Sequence, residues 1–168
     1  MRIIKFVFFF LLIGPIFLAC EKDDICVDAD TPFLVIRFYD FENQTEFKSV
    51  PALRVLGVGN GTPVNTFADR SALDSIAIPL KVDDTNSAFN LIANSADDEN
   101  DVETGNIDNL TLTYTTKKDF RSRACGYTVT FEDLAHNLET DADNWIKQIV
   151  IDTTVVANSA SAHVKIYH

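Results

Sequence analysis

Apolar and polar residues alternate with a period of two through much of the chain, the mark of strands with one buried face. In Leu110-Thr111-Leu112-Thr113-Tyr114-Thr115 every even position is apolar and every odd one is threonine. Tyr127, Val129 and Phe131 alternate with Thr128 and Thr130, and Val164 and Ile166 with His163, Lys165 and Tyr167. Ile76, Ile78 and Leu80 share a face, and Pro79 among them removes a ladder donor, which predicts an edge strand or a bulge. The stretch 33–39 is more uniformly apolar and predicts a central strand covered on both faces. Further strands are expected over 52–58, 87–93 and 145–156. Turn-forming residues separate these runs at 59–61, 83–86, 97–106 and 141–144. Phe131, Leu134, Ala135 and Leu138 instead have helical spacing, which leaves open one short helix. The expectation is an all-β fold, an antiparallel β-sandwich of about eight strands.

The N-terminus departs from this pattern. Arg2 and Lys5 precede an apolar stretch from Phe6 to Leu18, broken near its end by Gly14 and Pro15. That is a secretory signal, too short for a transmembrane helix. Phe17-Leu18-Ala19-Cys20 fits a bacterial lipobox in which Cys20 is acylated and becomes the mature N-terminus; the alternative is ordinary cleavage after Ala19. Several acyl chains on one cysteine give stable anchoring, each buried CH₂ contributing roughly 0.8 kcal/mol. Glu21-Lys22-Asp23-Asp24 resembles the surface-export signal of Bacteroidota lipoproteins, and its alternative is a charged tether. The domain plan is a signal peptide over 1–19, a lipidated tether over 20–26 and one β-sandwich domain over 27–168.

Without residues 1–19 the chain keeps 12 Lys+Arg against 25 Asp+Glu, a net charge near −13. Such acidity argues against nucleic acid or an anionic membrane surface as a partner, since both need basic patches. Of three cysteines, Cys20 is assigned to lipid. Cys26 and Cys125 then form an even pair in an oxidising compartment, which favours a disulfide over a nucleophilic thiol. The bridge would close a loop of about 100 residues, with a chain-entropy contribution of at most about 4.7 kcal/mol.

Candidate chemistry is sparse. Gly57-Val58-Gly59-Asn60-Gly61 has neither the dinucleotide-loop spacing nor a following helix, and reads as a loop between strands. The acidic run from Asp97 to Glu103 lacks the glycine and glutamate of an EF-hand loop. Glu139, Asp141 and Asp143 alternate in a tight loop and are the better calcium candidates, though acidic loops usually only stay solvated. His136, His163 and His168 fit no zinc or triad motif, and the five-residue spacing of the last two points them to opposite faces. No cofactor is expected. Asp74-Ser75-Ile76 and Asp152-Thr153-Thr154 resemble the Bacteroidota O-glycosylation acceptor, which makes Ser75 and Thr153 candidate modification sites.

Several segments together carry a resemblance. They are Cys26 with Thr31-Pro32-Phe33-Leu34-Val35-Ile36-Arg37-Phe38-Tyr39-Asp40, Asp74-Ser75-Ile76-Ala77-Ile78-Pro79-Leu80 and Arg123-Ala124-Cys125-Gly126-Tyr127 with Phe131. Asn144-Trp145-Ile146 and His163-Val164-Lys165-Ile166-Tyr167-His168 complete them. The chain resembles a lipoprotein family of Flavobacteriia, within Bacteroidota, known as a domain of unknown function. The resemblance supplies no catalytic residues. It implies a lipoprotein, a Cys26–Cys125 pair, and work beside an outer-membrane β-barrel. The leading expectation is a non-enzymatic, outward-facing accessory subunit of a barrel machine for outer-membrane protein assembly or export. Its partners would be the barrel, other lipoprotein subunits and, through the anchor, the membrane. The alternative is a glycan- or ligand-binding surface lipoprotein of a nutrient-uptake system. A third reading, a small hydrolase, would draw on Asp141, Asp143 or His136.

Overall fold

Threonine-leucine alternation does what its period requires. Leu110 and Leu112 are fully buried while the threonines between and beside them face outward, each such leucine contributing roughly 1.5–3 kcal/mol. A computed structural model describes residues 31–123 and 125–168. The expected signal peptide, Cys20, the Glu21-Lys22-Asp23-Asp24 segment and Cys26 lie outside the described residues.

The strands are β1 (Leu34–Tyr39), β2 (Val50–Gly57), β3 (Ser71–Leu73), β4 (Ser75–Ile78), β5 (Asn86–Ala93), β6 (Asn106–Ser122), β7 (Gly126–Leu138), β8 (Gln148–Ile151) and β9 (Val164–Tyr167). They form a four-stranded sheet, β4-β1-β9-β8, and a five-stranded sheet, β3-β2-β5-β6-β7. Leu34, Ile36, Phe38, Ile76, Ile78, Val164 and Ile166 from the first meet Leu53, Val55, Phe89, Leu91, Leu110, Leu112 and Phe131 from the second in one core. The architecture is the expected β-sandwich, and β4, ending just before Pro79, is an edge strand as expected.

Nine strands stand among the described residues, in keeping with about eight; β3, three residues long, is too short to show a period. Three details differ. One pairing is parallel: β1 lies beside β9 with Ile36 opposite Val164 and Tyr39 opposite Tyr167. The second face of β1 is only half-buried at Val35, Arg37 and Tyr39, not covered. Finally, there is no helix over 131–138. Thr115 pairs with Glu132 and Thr113 with Ala135, so Tyr114 alone stands opposite both Asp133 and Leu134. This β-bulge, with Asp133 at a φ of 56°, lets Phe131 and Leu134 both turn into the core although they are three apart. The bulge, not a helical turn, produced the spacing.

β6 and β7 form a long hairpin whose distal half leaves the sandwich. Tyr114 and Phe131 are its last buried residues, and most side chains from Thr115 to Thr130 are exposed or half-exposed. At about 3.4 Å per residue the ribbon reaches roughly 27 Å past Tyr114. Among the described residues no helix is long and apolar enough to cross a membrane.

Candidate functional site

The outer face of the four-stranded sheet gathers aromatic rings around an arginine. Strand parity turns Val35, Arg37 and Tyr39 outward from β1, because Leu34, Ile36 and Phe38 occupy the core. Tyr39 lies beside Tyr167 of β9, ring centres 5.5 Å apart. The loop after β1 then folds back. Asp40 accepts from the N–H groups of Glu42 (2.8 Å) and Asn43 (2.9 Å) and pairs with Lys48 at 2.8 Å. The Lys48 ammonium, followed by those two amides, holds the Asp40 carboxyl down to about 2. The turn so fixed sets Phe47 at 5.0 Å from Tyr39, with the Arg37 guanidinium 4.5 Å above its ring, a cation–π contact. Phe47 keeps over half its surface in solvent, and Phe33 at the other end of the face is 39% exposed. Aromatic rings with an arginine at partial exposure are the composition of a protein-interface centre.

On the opposite side of the molecule, the acidic run from Asp97 to Glu103 is turned against two arginines. Glu103 Oε2 accepts from Ser95 Oγ (2.7 Å) and Arg54 (3.2 Å), and Oε1 accepts from the N–H groups of Ala96 (3.0 Å) and Gly105 (2.9 Å). Burial pushes the Glu103 carboxyl up, but Gly105, Ser95, Arg54 and Ala96 outweigh it and hold it at about 2. Arg70 pairs with Asp97 and donates to Ser95 Oγ. Asp98 accepts from Asn100 and Val102 within its own turn, and those amides lower its pKa. These carboxylates brace a loop over the fully buried Ile92. Sequence reading missed this cluster because its arginines lie far from the run along the chain.

The weaker candidates are scattered. Glu139 Oε2 accepts from Asn109, and Asp141 accepts from the Asp143 N–H while its own N–H goes to Asn144. Among the described residues no group of three His, Cys, Asp or Glu is placed to hold a metal ion. His136 pairs across the hairpin with Leu112. His163 accepts from the Val35 N–H at 3.0 Å, and His168 packs edge-on against Phe38 and Trp145; burial lowers the pKa of both imidazoles. Ser75 opens edge strand β4 and is half-buried, as is Thr153, which follows β8. Cys125 stands in the β6–β7 turn, its N–H donating to Ser122 Oγ at 3.1 Å. A cleft of about 580 Å³ runs between the 57–65 loop and the ends of β4 and β5, with Asn60, Thr62, Lys81 and Ser87 among apolar neighbours.

Residues 52–168 match the model of a family of unknown function, DUF6452. The chain belongs to that family. No curated protein and no solved structure matches it. The DUF6452 match takes in the Glu103 cluster, the cleft and the whole β6–β7 hairpin, whereas Arg37, Tyr39 and Phe47 precede it.

Proposed function

We propose that this DUF6452 protein is a non-enzymatic lipoprotein of the bacterial outer membrane, facing outward. It serves as accessory subunit to a β-barrel machine for outer-membrane protein assembly or export. Cys20 carries the lipid anchor, Glu21-Lys22-Asp23-Asp24 directs it to the surface, and a Cys26–Cys125 disulfide ties the tether to the β6–β7 turn. The observation that carries the docking role is the partly exposed Arg37–Tyr39–Phe47 face. It is held ready by Asp40, so little order is lost when a partner covers it. Trp145, the lone tryptophan, donates to the Leu91 carbonyl at 3.2 Å and is half-buried, so it is not presented for stacking on a sugar. A ligand-binding role draws its support from the cleft, whose volume falls in the range of small-molecule sites.

Gentle affinity purification from the native membrane tests the docking role. A large barrel should co-isolate with the wild type, and the Arg37→Ala, Phe47→Ala double variant should lose it by about tenfold or more while melting near the wild-type temperature. Recovery of no barrel, even after crosslinking in cells, would leave the ligand-binding reading ahead. Cys20→Ala, followed by membrane fractionation, separately tests the anchor.

A further inference from the structure

The chain is acidic almost everywhere except on the hairpin that leaves the sandwich. Between Thr115 and Thr130 stand Lys117, Lys118, Arg121 and Arg123 against a single carboxylate, Asp119. Lys118 reaches back to Asp83 in the β4–β5 turn at 2.6 Å, and Lys117 lies 3.7 Å from Glu132 at the arm's base. Toward the tip Arg121 donates only to the neutral Thr128 hydroxyl, and neither Arg121 nor Arg123 has an ion pair among the described residues. Phe120 and Tyr127 face each other across the ribbon, ring centres 5.4 Å apart, yet each leaves about three-fifths of its surface in solvent. An edge-to-face pair placed past the last buried residue has no core to fill. Aromatic rings flanked by arginine and lysine are the residue set that settles at the headgroup level of an anionic bilayer.

We infer that the tip of the β6–β7 arm is a lipid-contacting element. Phe120 and Tyr127 enter the interfacial layer of an anionic membrane while Arg121 and Arg123 meet its headgroups. Charge complementarity selects this occupant: the arm's positive charge faces a negative surface, while the acidic remainder of the body is repelled from it and held upright. The arm is rigid enough for the task, since its two strands pair continuously from Thr115 to Phe120 against Glu132 to Tyr127. The inference rests on the anchored reading for the bilayer being close at hand. Its test needs no anchor, so the two ideas fail separately.

Residues 21–168 contain every described strand and the whole core. This body, without acyl chains, is sedimented with phosphatidylcholine vesicles and with vesicles in which one lipid in three is phosphatidylglycerol. It should pellet with the anionic vesicles and stay in solution with the neutral ones, and binding should fall as salt rises. Arg121→Ala with Arg123→Ala should weaken binding roughly 25-fold, about fivefold per cation removed. Phe120→Ser with Tyr127→Ser should also release the protein while leaving its melting temperature unchanged, because neither ring is buried. Equal binding to both vesicles, no binding to either, or undiminished binding by both double variants would overturn the inference.

Discussion

Glu103 ties the 95–105 loop to β2 through Arg54 and to its own backbone through Ala96 and Gly105. Its carboxyl is held at about 2 against an ordinary 4.5. A group whose folded pKa is depressed contributes stability that is complete above its unfolded value and lost as pH falls toward the folded one. Glu103→Gln should therefore destabilise the protein by about 2 kcal/mol at neutral pH, the scale of charged hydrogen bonds at partial exposure. The gap between wild type and variant should close as pH falls from about 4.5 to about 2. Urea unfolding at a series of pH values measures both. Nothing in local spacing announced this cluster. Asp97 to Glu103 read as a solvated acidic loop because Arg54 and Arg70 are brought to it only by the pairing of β2 with β5 and with β3. Arg37 and Tyr39 were legible only as members of an apolar strand expected to be covered on both faces, and the loop that supplies Phe47 was not legible at all.

Strands were legible wherever they run straight. The alternation in β6, β9 and β4 follows directly from the pleat, and the edge position of β4 from Pro79. It failed where a bulge changes parity, as at Asp133, and it could not tell parallel from antiparallel, since side chains alternate identically in both. Asp133 sits in the left-handed region at φ 56°, a conformation that aspartate tolerates and β-branched residues resist. Asp133→Gly should leave stability unchanged or slightly raised. Asp133→Val should cost about 1–2 kcal/mol, and chemical denaturation of the two variants side by side makes the comparison. An outcome in which glycine is the worse substitution would mean that the Asp133 side chain, not the backbone, holds the bulge.

For the molecule as a whole, the sandwich and its core were readable from period and turn chemistry. The docking face was readable only as a strand with too many apolar residues for one side. The protruding arm was not readable, because alternation continues past the point where the second sheet ends. If Cys26 and Cys125 are joined, Cys125→Ser should lower the melting temperature by about 10 °C, from a loss of about 3 kcal/mol in a body of this size. Mass spectrometry of unreduced peptides locates the bond, and alkylation of both thiols in native protein would refute it. The parallel pairing of β1 with β9 has a temporal consequence. Val35 takes its hydrogen-bond partner from a residue 128 positions further along, so the four-stranded sheet cannot close until nearly all of the described chain is available. Contacts of such separation form late and slowly. A polypeptide made from its N-terminus would thus pair β5, β6 and β7 early and seal the core only once its last strand is available.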